Sequence, residues 1–234
     1  MKPFSPFTIL ASAATVLSLF SNTGVQAATG VDVSTLISEK TWACAKDYGY
    51  EHAIVRGYIE AWGQNPGGAL DKNLVQNYKN AIAAGYETVD IYIFPCTGRD
   101  TCKSATQQIQ DVLDVIDENS MKIGTLWLDV EVDPQADNWP TASGARSTLQ
   151  AYKKALDNSG EKWGIYANKV QWTSITGSST WELDSSVPLW YPHYDNERTF
   201  DDFEAFGGWT KPTIKQYAGT SNFCSAGWDK NYYG

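Results

Sequence analysis

The apolar residues of this chain follow two different periods. Short runs of alternating or mostly apolar residues predict β-strands, and longer segments with apolar residues three or four apart predict helices. The predicted strands cover residues 30–34, 52–58, 89–94, 126–132, 164–167, 187–191 and 213–217. The predicted helices cover residues 41–48, 71–84, 104–119 and 141–158. Strands that alternate with helices are typical of a largely parallel α/β sheet or barrel.

The pattern changes after residue 175. No helical period separates the last two predicted strands, and the segment between them is rich in aromatic residues, Asp and Gly. A regular eightfold (β/α) barrel of about 250 residues does not fit so short a chain. We therefore predict an α/β fold, an irregular TIM-like (β/α) barrel with helices mainly in the first half and with strands and loops in the second.

The N-terminal segment has the features of a secretory signal peptide. Lys2 supplies a positive start, an apolar run covers Ile9–Leu19, and Val25-Gln26-Ala27 is a small-residue cleavage site. The apolar run is too short, and too rich in Ser, Thr and Ala, to be a comfortable membrane anchor. We expect residues 1–27 to be removed and residues 28–234 to form the single domain of a secreted protein.

The chain is acidic, with 27 Asp and Glu residues against 18 Lys and Arg and a formal net charge of −9. Proteins that bind nucleic acids carry basic patches, so this balance disfavours a nucleic-acid partner. It also disfavours simple electrostatic attraction to anionic bacterial envelopes. An acidic extracellular or digestive compartment would suit such a surface, because low pH discharges its carboxylates.

Four cysteines in a protein expected to be secreted indicate two disulfides. Three pairings are possible. The close spacing of Cys96 and Cys102 favours a stapled loop, which would leave Cys44 and Cys224 to join the two ends of the domain. A zinc site is the alternative, but the cysteine spacing does not match one and the chain has only 2 histidines. We expect no metal and no cofactor.

Acidic residues share one face of the predicted strands. Side chains two residues apart lie on the same face, so Leu128 and Val130 point towards the helices while Asp129 and Glu131 point into the barrel. Both acidic residues lie towards the C-terminal end of their strand, where barrel active sites are built. Asp32 has the same parity in the first strand.

The third predicted strand adds aromatic residues to this interior, because its parity turns Asp90, Tyr92 and Phe94 inward. Aromatic rings stack on sugar rings, and glycoside cleavage uses one protonated and one ionised carboxyl group. Crowded carboxylates raise the pKa of one partner and keep it protonated. The alternative is that Asp129 and Glu131 form structural salt bridges.

Seven segments in order along the chain resemble motifs of glycoside hydrolase family 25, the Chalaropsis-type lysozymes. They are Gly30-Val31-Asp32-Val33-Ser34, Tyr92-Ile93-Phe94, Leu128-Asp129-Val130-Glu131, Ile165-Tyr166, Leu189-Trp190 with Tyr194, Lys215-Gln216-Tyr217 and Trp228-Asp229-Lys230-Asn231. Phe94-Pro95-Cys96 and Cys44 resemble the branch of this family found in invertebrates and protists.

The resemblance implies an irregular barrel and a secreted lysozyme that hydrolyses the β-1,4 bond between N-acetylmuramic acid and N-acetylglucosamine in bacterial peptidoglycan, for defence or digestion. Glu131 would be the general acid, and Asp129 would stabilise charge or orient the acetamido group of the substrate. Asp32 and Asp229 would complete a site of four carboxylates. The residues expected to contact the substrate are Asp90, Tyr92, Phe94, Tyr166, Trp190, Tyr194 and Gln216.

Two departures from the family pattern leave the preferred glycan open. Ile93 stands where members often have His, and Arg56-Gly57-Tyr58 stands where many have a Lys-containing stretch that ends in Glu-Gly. A chitin-like polymer is therefore an alternative substrate. A non-catalytic glycan-binding protein and a hydrolase with carboxylate-bound calcium or magnesium are alternative functions. We expect a monomer that acts on the bacterial cell wall, without a membrane partner.

Overall fold

The computed structural model describes residues 28–60, 66–133 and 138–234, together with Met1. Apart from Met1, the predicted signal peptide lies outside the described residues, and its removal stays a prediction. None of the helices in the described ranges is both long and apolar enough to cross a membrane.

Strands and helices alternate through most of the described chain, and their bounds agree with the predicted ones to within a few residues in the first 166 positions. The strands are β1 Ala28–Val33, β2 His52–Ile59, β3 Ala69–Leu70, β4 Val89–Ile93, β5 Ile123–Asp129, β6 Trp163–Tyr166, β7 Leu189–Pro192, β8 Ile214–Phe223 and β9 Ala226–Tyr233. The helices are α1 Glu39–Asp47, α2 Leu74–Ala83, α3 Ala105–Glu118, α4 Ala142–Asp157 and α5 Lys169–Thr176.

The strands close into a barrel in the order β1, β2, β4, β5, β6, β7, β8, β9 and back to β1. Neighbours from β1 to β8 run parallel, whereas β9 runs antiparallel to both β8 and β1. The two-residue strand β3 pairs with β2 outside this ring. The prediction of an irregular TIM-like barrel is confirmed, and β9 is the strand that makes it irregular.

Local capping explains where several helices begin. Ser38, Ser104 and Asn168 each accept a hydrogen bond from a backbone N–H in the first turn of α1, α3 and α5. Helix α5 was not predicted, since it has only 8 residues and little amphipathic period. Its ends carry the signal that could have found it, with Asn168 at the start and Gly177 in the left-handed conformation at the end.

The apolar residues divide into two cores, as the strand parity predicts. The outer core lies between the barrel and the helices and includes Ile91, Ile93 and Leu128, which are fully buried. The inner core fills the barrel with Ile54, Trp127, Tyr166, Trp190 and Ile214. The inner core lies on the same strand faces as the acidic residues, so its side chains pack inside the barrel next to them.

Two disulfides connect the cysteines in the predicted pairing. Cys96 bonds to Cys102 within one loop, and Cys44 of α1 bonds to Cys224 in the turn between β8 and β9. The second bond joins positions separated by 180 residues and ties the first helix to the strand pair that closes the barrel.

Candidate active site

A central cavity of about 100 Å³ opens at the C-terminal ends of the parallel strands. Of the eleven residues predicted to be catalytic or to contact the substrate, nine line it. They are Asp32, Tyr92, Asp129, Glu131, Tyr166, Trp190, Tyr194, Gln216 and Asp229. The strand bounds explain this grouping, because Asp129 ends β5 and Tyr166 ends β6, and parallel strands bring their ends to one edge.

Asp32 is fixed by two buried amide groups. Gln216 Nε2 and Asn231 Nδ2 donate hydrogen bonds to Asp32 Oδ1 over 2.9 and 2.8 Å. Trp190 Nε1 in turn donates to Asn231 Oδ1 over 2.8 Å. Asp229 is the cross-strand partner of Asp32 in the β1–β9 ladder, so the antiparallel strand brings the fourth carboxylate into place.

Aromatic residues form a wall of the cavity that is in direct contact with the two amide groups. The hydroxyls of Tyr166 and Tyr194 both donate to Gln216 Oε1 over 2.8 Å. Trp190 meets the rings of Tyr166, Tyr92 and Trp127 edge to face. Tyr194 is 57% exposed and therefore lies at the rim of the cavity, where a sugar ring could stack on it.

The carboxylates of the central cavity hold their protons more tightly than free carboxylates do. Burial and the neighbouring Asp229 raise the pKa of Asp32 to about 8, against the opposing effect of its two amide donors. Burial and then Glu131 raise the pKa of Asp129 well above its usual value, and burial raises the pKa of Asp229. Groups that interact this strongly cannot all ionise together, so the cluster retains protons.

Glu131 differs from the other three carboxylates in what surrounds it. Burial, Asp133 and Asp229 together raise the pKa of Glu131 to about 7, and all three effects act in the same direction. Asp32 has amide donors, Asp229 accepts from the backbone N–H of Thr220, and the charge of Arg56 lowers the pKa of Asp129. With a pKa of about 7, Glu131 is therefore a carboxyl group that can both give and take a proton near neutral pH.

The backbone at Glu131 is held in place just beyond the end of β5. Asn138 Nδ2 and Trp139 Nε1 donate to its carbonyl oxygen over 3.1 and 2.7 Å. The side chain keeps the inward parity of the strand although β5 ends two residues earlier.

A further acidic pair beside Glu131 was missed from the sequence. Glu60 directly follows β2 and is buried, and its pKa is raised to about 9 by burial and by a hydrogen bond with Asp133. The backbone N–H of Asp133 donates to Asn138 Oδ1 over 2.9 Å. The signal that could have found Glu60 is its place immediately after a barrel strand, since Glu131 also lies just beyond the end of one.

Asp90 and Phe94 do not reach the wall of the central cavity. Asp90 lies inside the barrel but nearer the other end of β4, where Thr125 N and Trp127 Nε1 donate to its two oxygens over 2.9 and 2.8 Å. Phe94 follows the end of β4 and is partly buried. Asp90 thus anchors β5 to β4, and a contact of either residue with a glycan stays a prediction.

In the described ranges, one group of His, Cys, Asp and Glu residues lies close enough together to hold a metal ion, and it is outside the central cavity. It consists of His193, Asp195 and Asp202. Lys215 Nζ already contacts both carboxylates, over 2.6 Å to Asp195 and 2.8 Å to Asp202, and it is fully buried. A fixed ammonium group therefore occupies the position where a cation would bind.

Comparison with known proteins places the chain among lysozyme-like sequences. The family described as "Lysozyme-like protein 1" matches residues 23–217. The chain is 38% identical to "Lysozyme-like protein 5" of Caenorhabditis elegans, over 92% of this chain and 95% of the relative. It is 35% identical to "Probable GH family 25 lysozyme 2" of Dictyostelium discoideum, over 89% and 92% of the two chains.

Solved structures share the fold at lower identity. A bacterial lysozyme from Streptomyces coelicolor superposes with a TM-score of 0.67 at 22% identity, over 88% of this chain and 92% of that one. A family GH25 lysozyme from Aspergillus fumigatus superposes with a TM-score of 0.62 at 18% identity, over 89% and 94%.

Proposed function

The chain belongs to the lysozyme-like proteins of glycoside hydrolase family 25, and on this premise we propose that it is a muramidase. Its reaction is hydrolysis of the β-1,4 bond between N-acetylmuramic acid and N-acetylglucosamine in bacterial peptidoglycan. The observation that carries the proposal is the position of Glu131 in the central cavity beside Asp129, with a pKa of about 7 that suits a group which gives and then takes a proton. One proton donor beside one potential anion is what glycoside cleavage requires.

Glu131 is the general acid of this proposal. With a pKa of about 7, it carries a proton in acidic solution and can transfer it to the glycosidic oxygen as the bond to C1 breaks. The leaving sugar departs as the 4-hydroxyl of N-acetylglucosamine. The resulting Glu131 carboxylate then takes a proton from the water that attacks C1, which restores the enzyme.

Asp129 orients the acetamido group of the muramoyl sugar. Its Oδ1 is buried, and among the described residues no group donates a hydrogen bond to it. A substrate N–H is a suitable donor for this oxygen. With its N–H held there, the acetamido carbonyl oxygen can attack C1 from the face opposite the leaving group, and water then opens the ring with net retention of configuration.

Secretion is part of the proposal. Two disulfides form and persist in oxidising compartments, which supports an extracellular setting for the enzyme. A secreted muramidase would meet bacterial cell walls outside the producing cell or in a digestive compartment.

The test compares Glu131→Gln with Glu118→Gln, an exposed glutamate at the end of α3. Release of reducing ends from purified peptidoglycan should fall about 10²–10⁴-fold in the first variant and stay unchanged in the second. Circular dichroism should be the same for both. Full activity of Glu131→Gln would overturn its role, and glycan binding by the wild type without any turnover would favour a binding protein.

The substrate and the role of Asp129 are tested with two further glycans. Chitin oligomers, assayed beside peptidoglycan, should be the poorer substrate. The wild type should cleave peptidoglycan slowly when its muramic acid lacks the N-acetyl group. Asp129→Asn should cleave ordinary, acetylated peptidoglycan at a similarly low rate. Undiminished cleavage of the deacetylated glycan would instead point to a carboxylate nucleophile.

A further inference from the structure

Lys215 is a fully buried lysine on the outer face of β8. Its neighbour Ile214 belongs to the inner core and its other neighbour Gln216 lines the central cavity, so alternation turns Lys215 away from the barrel interior. Its cross-strand partner on β7 is Tyr191, which belongs to the outer core. A charge buried at such a place requires compensation by paired groups.

Two carboxylates of the segment that follows β7 compensate this charge. Lys215 Nζ donates to Asp195 Oδ2 over 2.6 Å and to Asp202 Oδ1 over 2.8 Å. The other oxygen of Asp202 accepts from the hydroxyl of Tyr191 over 3.1 Å and contacts Nδ1 of His193. One ammonium group therefore ties the start of the segment 193–202 to its end.

Tyr194 lies directly beside Asp195 in this segment but points the other way. Its hydroxyl donates to Gln216 Oε1 over 2.8 Å on the cavity side, whereas Asp195 meets Lys215 on the outer side. The backbone N–H of His193 also donates to Gln216 O over 3.0 Å. Two consecutive residues of the segment are thus held by two consecutive residues of β8, one pair on each face.

We infer that Lys215 is a positioning residue that holds Tyr194 at the rim of the central cavity, where its ring stacks on a sugar of the substrate. The ring of Tyr194 is more than half exposed, so core packing alone does not fix it. Without the ammonium group, Asp195 and Asp202 would repel each other at close range, and the segment that carries Tyr194 would move away from β8. This role rests on the proposed function, because it needs a glycan in the cavity.

The kinetic test compares Lys215→Met with Lys153→Met. Lys153 is a matched control, because it also contacts two carboxylates, those of Asp157 and Asp184, but lies on α4 outside the cavity. On soluble peptidoglycan fragments, Lys215→Met should raise KM about three- to tenfold with little change in kcat, since stacking at the rim contributes equally to the ground and transition states. Lys153→Met should leave both constants unchanged.

A double-mutant cycle separates an effect through Tyr194 from a general loss of structure. Tyr194→Ala should raise KM as much as Lys215→Met does, and the double variant should show no further rise. Additive rises in KM, or a fall in kcat in place of a rise in KM, would overturn the inference. If Lys215→Met does not fold, Asp195→Asn takes its place, because it keeps the contact of Lys215 with Asp202. It should raise KM less but in the same direction, and an unchanged KM would count against the inference.

A direct measurement does not depend on turnover. In protein labelled with fluorotyrosine, the fluorine resonance of Tyr194, assigned with Tyr194→Phe, should shift in Lys215→Met and Asp195→Asn and stay in place in Lys153→Met. An unmoved resonance in the first two variants would overturn the inference. If the wild type failed to cleave peptidoglycan but this resonance still shifted, the proposed function would fail while the positioning of Tyr194 by Lys215 stood.

Discussion

Gln216 Nε2 donates to Asp32 Oδ1 over 2.9 Å between residues that lie 184 positions apart in the chain. The same amide group accepts the hydroxyls of Tyr166 and Tyr194 at its oxygen. Its orientation is thereby settled, with the carbonyl towards the tyrosines and the NH₂ group towards the carboxylate. One buried side chain thus links β8 to the first strand and to the aromatic wall of the cavity.

Replacement of Gln216 by Leu should therefore weaken both the fold and the activity. It leaves one carboxylate and two hydroxyls without this partner, which should lower the free energy of unfolding by about 1–3 kcal/mol. Gln110→Leu is the matched control, because Gln110 is exposed on α3 and its change should stay within about 0.5 kcal/mol. Urea unfolding and kcat/KM measure the two effects, and similar losses in both variants would contradict the role of Gln216.

Asp133→Asn should shift the alkaline limb of the activity profile to lower pH. Among the neighbouring charges, that of Asp133 raises the pKa of Glu131 the most. Glu131 must be protonated to act as an acid. Removal of this negative charge lowers the pKa of Glu131, so the alkaline limb should move to lower pH by about one unit. Asp114→Asn, at an exposed position of α3, should leave the limb in place. An unmoved limb in Asp133→Asn would argue against Glu131 as the group that titrates.

Folding stability should be greatest in mildly acidic solution. Glu131, Asp32 and Glu60 have raised pKa values of about 7, 8 and 9, whereas the unfolded chain releases these protons near pH 4. The folded protein binds more protons between these limits, so the free energy of unfolding rises as the pH falls from about 9 to about 4.

Below this range the sign reverses. Burial would raise the pKa of Asp202, but hydrogen bonds from Lys215 and His193 outweigh it and lower the pKa to about 2. The stability contributed by this ion pair is lost as the pH falls towards that value. The free energy of unfolding, measured with urea from pH 3 to pH 9, should be greatest at about pH 4–5. A maximum at neutral or alkaline pH would show that the carboxylates of the cavity do not retain protons.

The two disulfides should contribute unequally to stability. Their cysteines are separated by 180 and 6 residues, so loop-closure entropy assigns about 5 kcal/mol to Cys44–Cys224 and about 2 kcal/mol to Cys96–Cys102. Paired Cys→Ala variants of each bond, compared by urea unfolding, measure the difference. Equal destabilisation would mean that constraint of the unfolded chain is not what these bonds supply.

The features that were predictable from the sequence depend on neighbours along the chain. Alternation within a strand placed Asp32, Tyr92 and Asp129 on the inner face, and the rule that barrel sites form at strand ends brought them to one edge. Helical periodicity, which is also a relationship between neighbours along the chain, predicted α1 to α4. Asp229 and Gln216 were found through motif resemblance, since no local period distinguishes them.

What the sequence could not supply are contacts made by closure of the barrel. Strand β9 runs antiparallel and carries Asp229 to a position opposite Asp32, and the ion pair between Arg56 and the buried Asp71 joins β2 to the loop between β3 and α2. The acidic pair of Glu60 and Asp133 likewise joins the ends of two different strands. Burial and the charges around each carboxyl group set its pKa, and both arise only when distant segments pack together. The sequence therefore determined which carboxylates face inward, whereas the tertiary structure decided which of them would hold a proton.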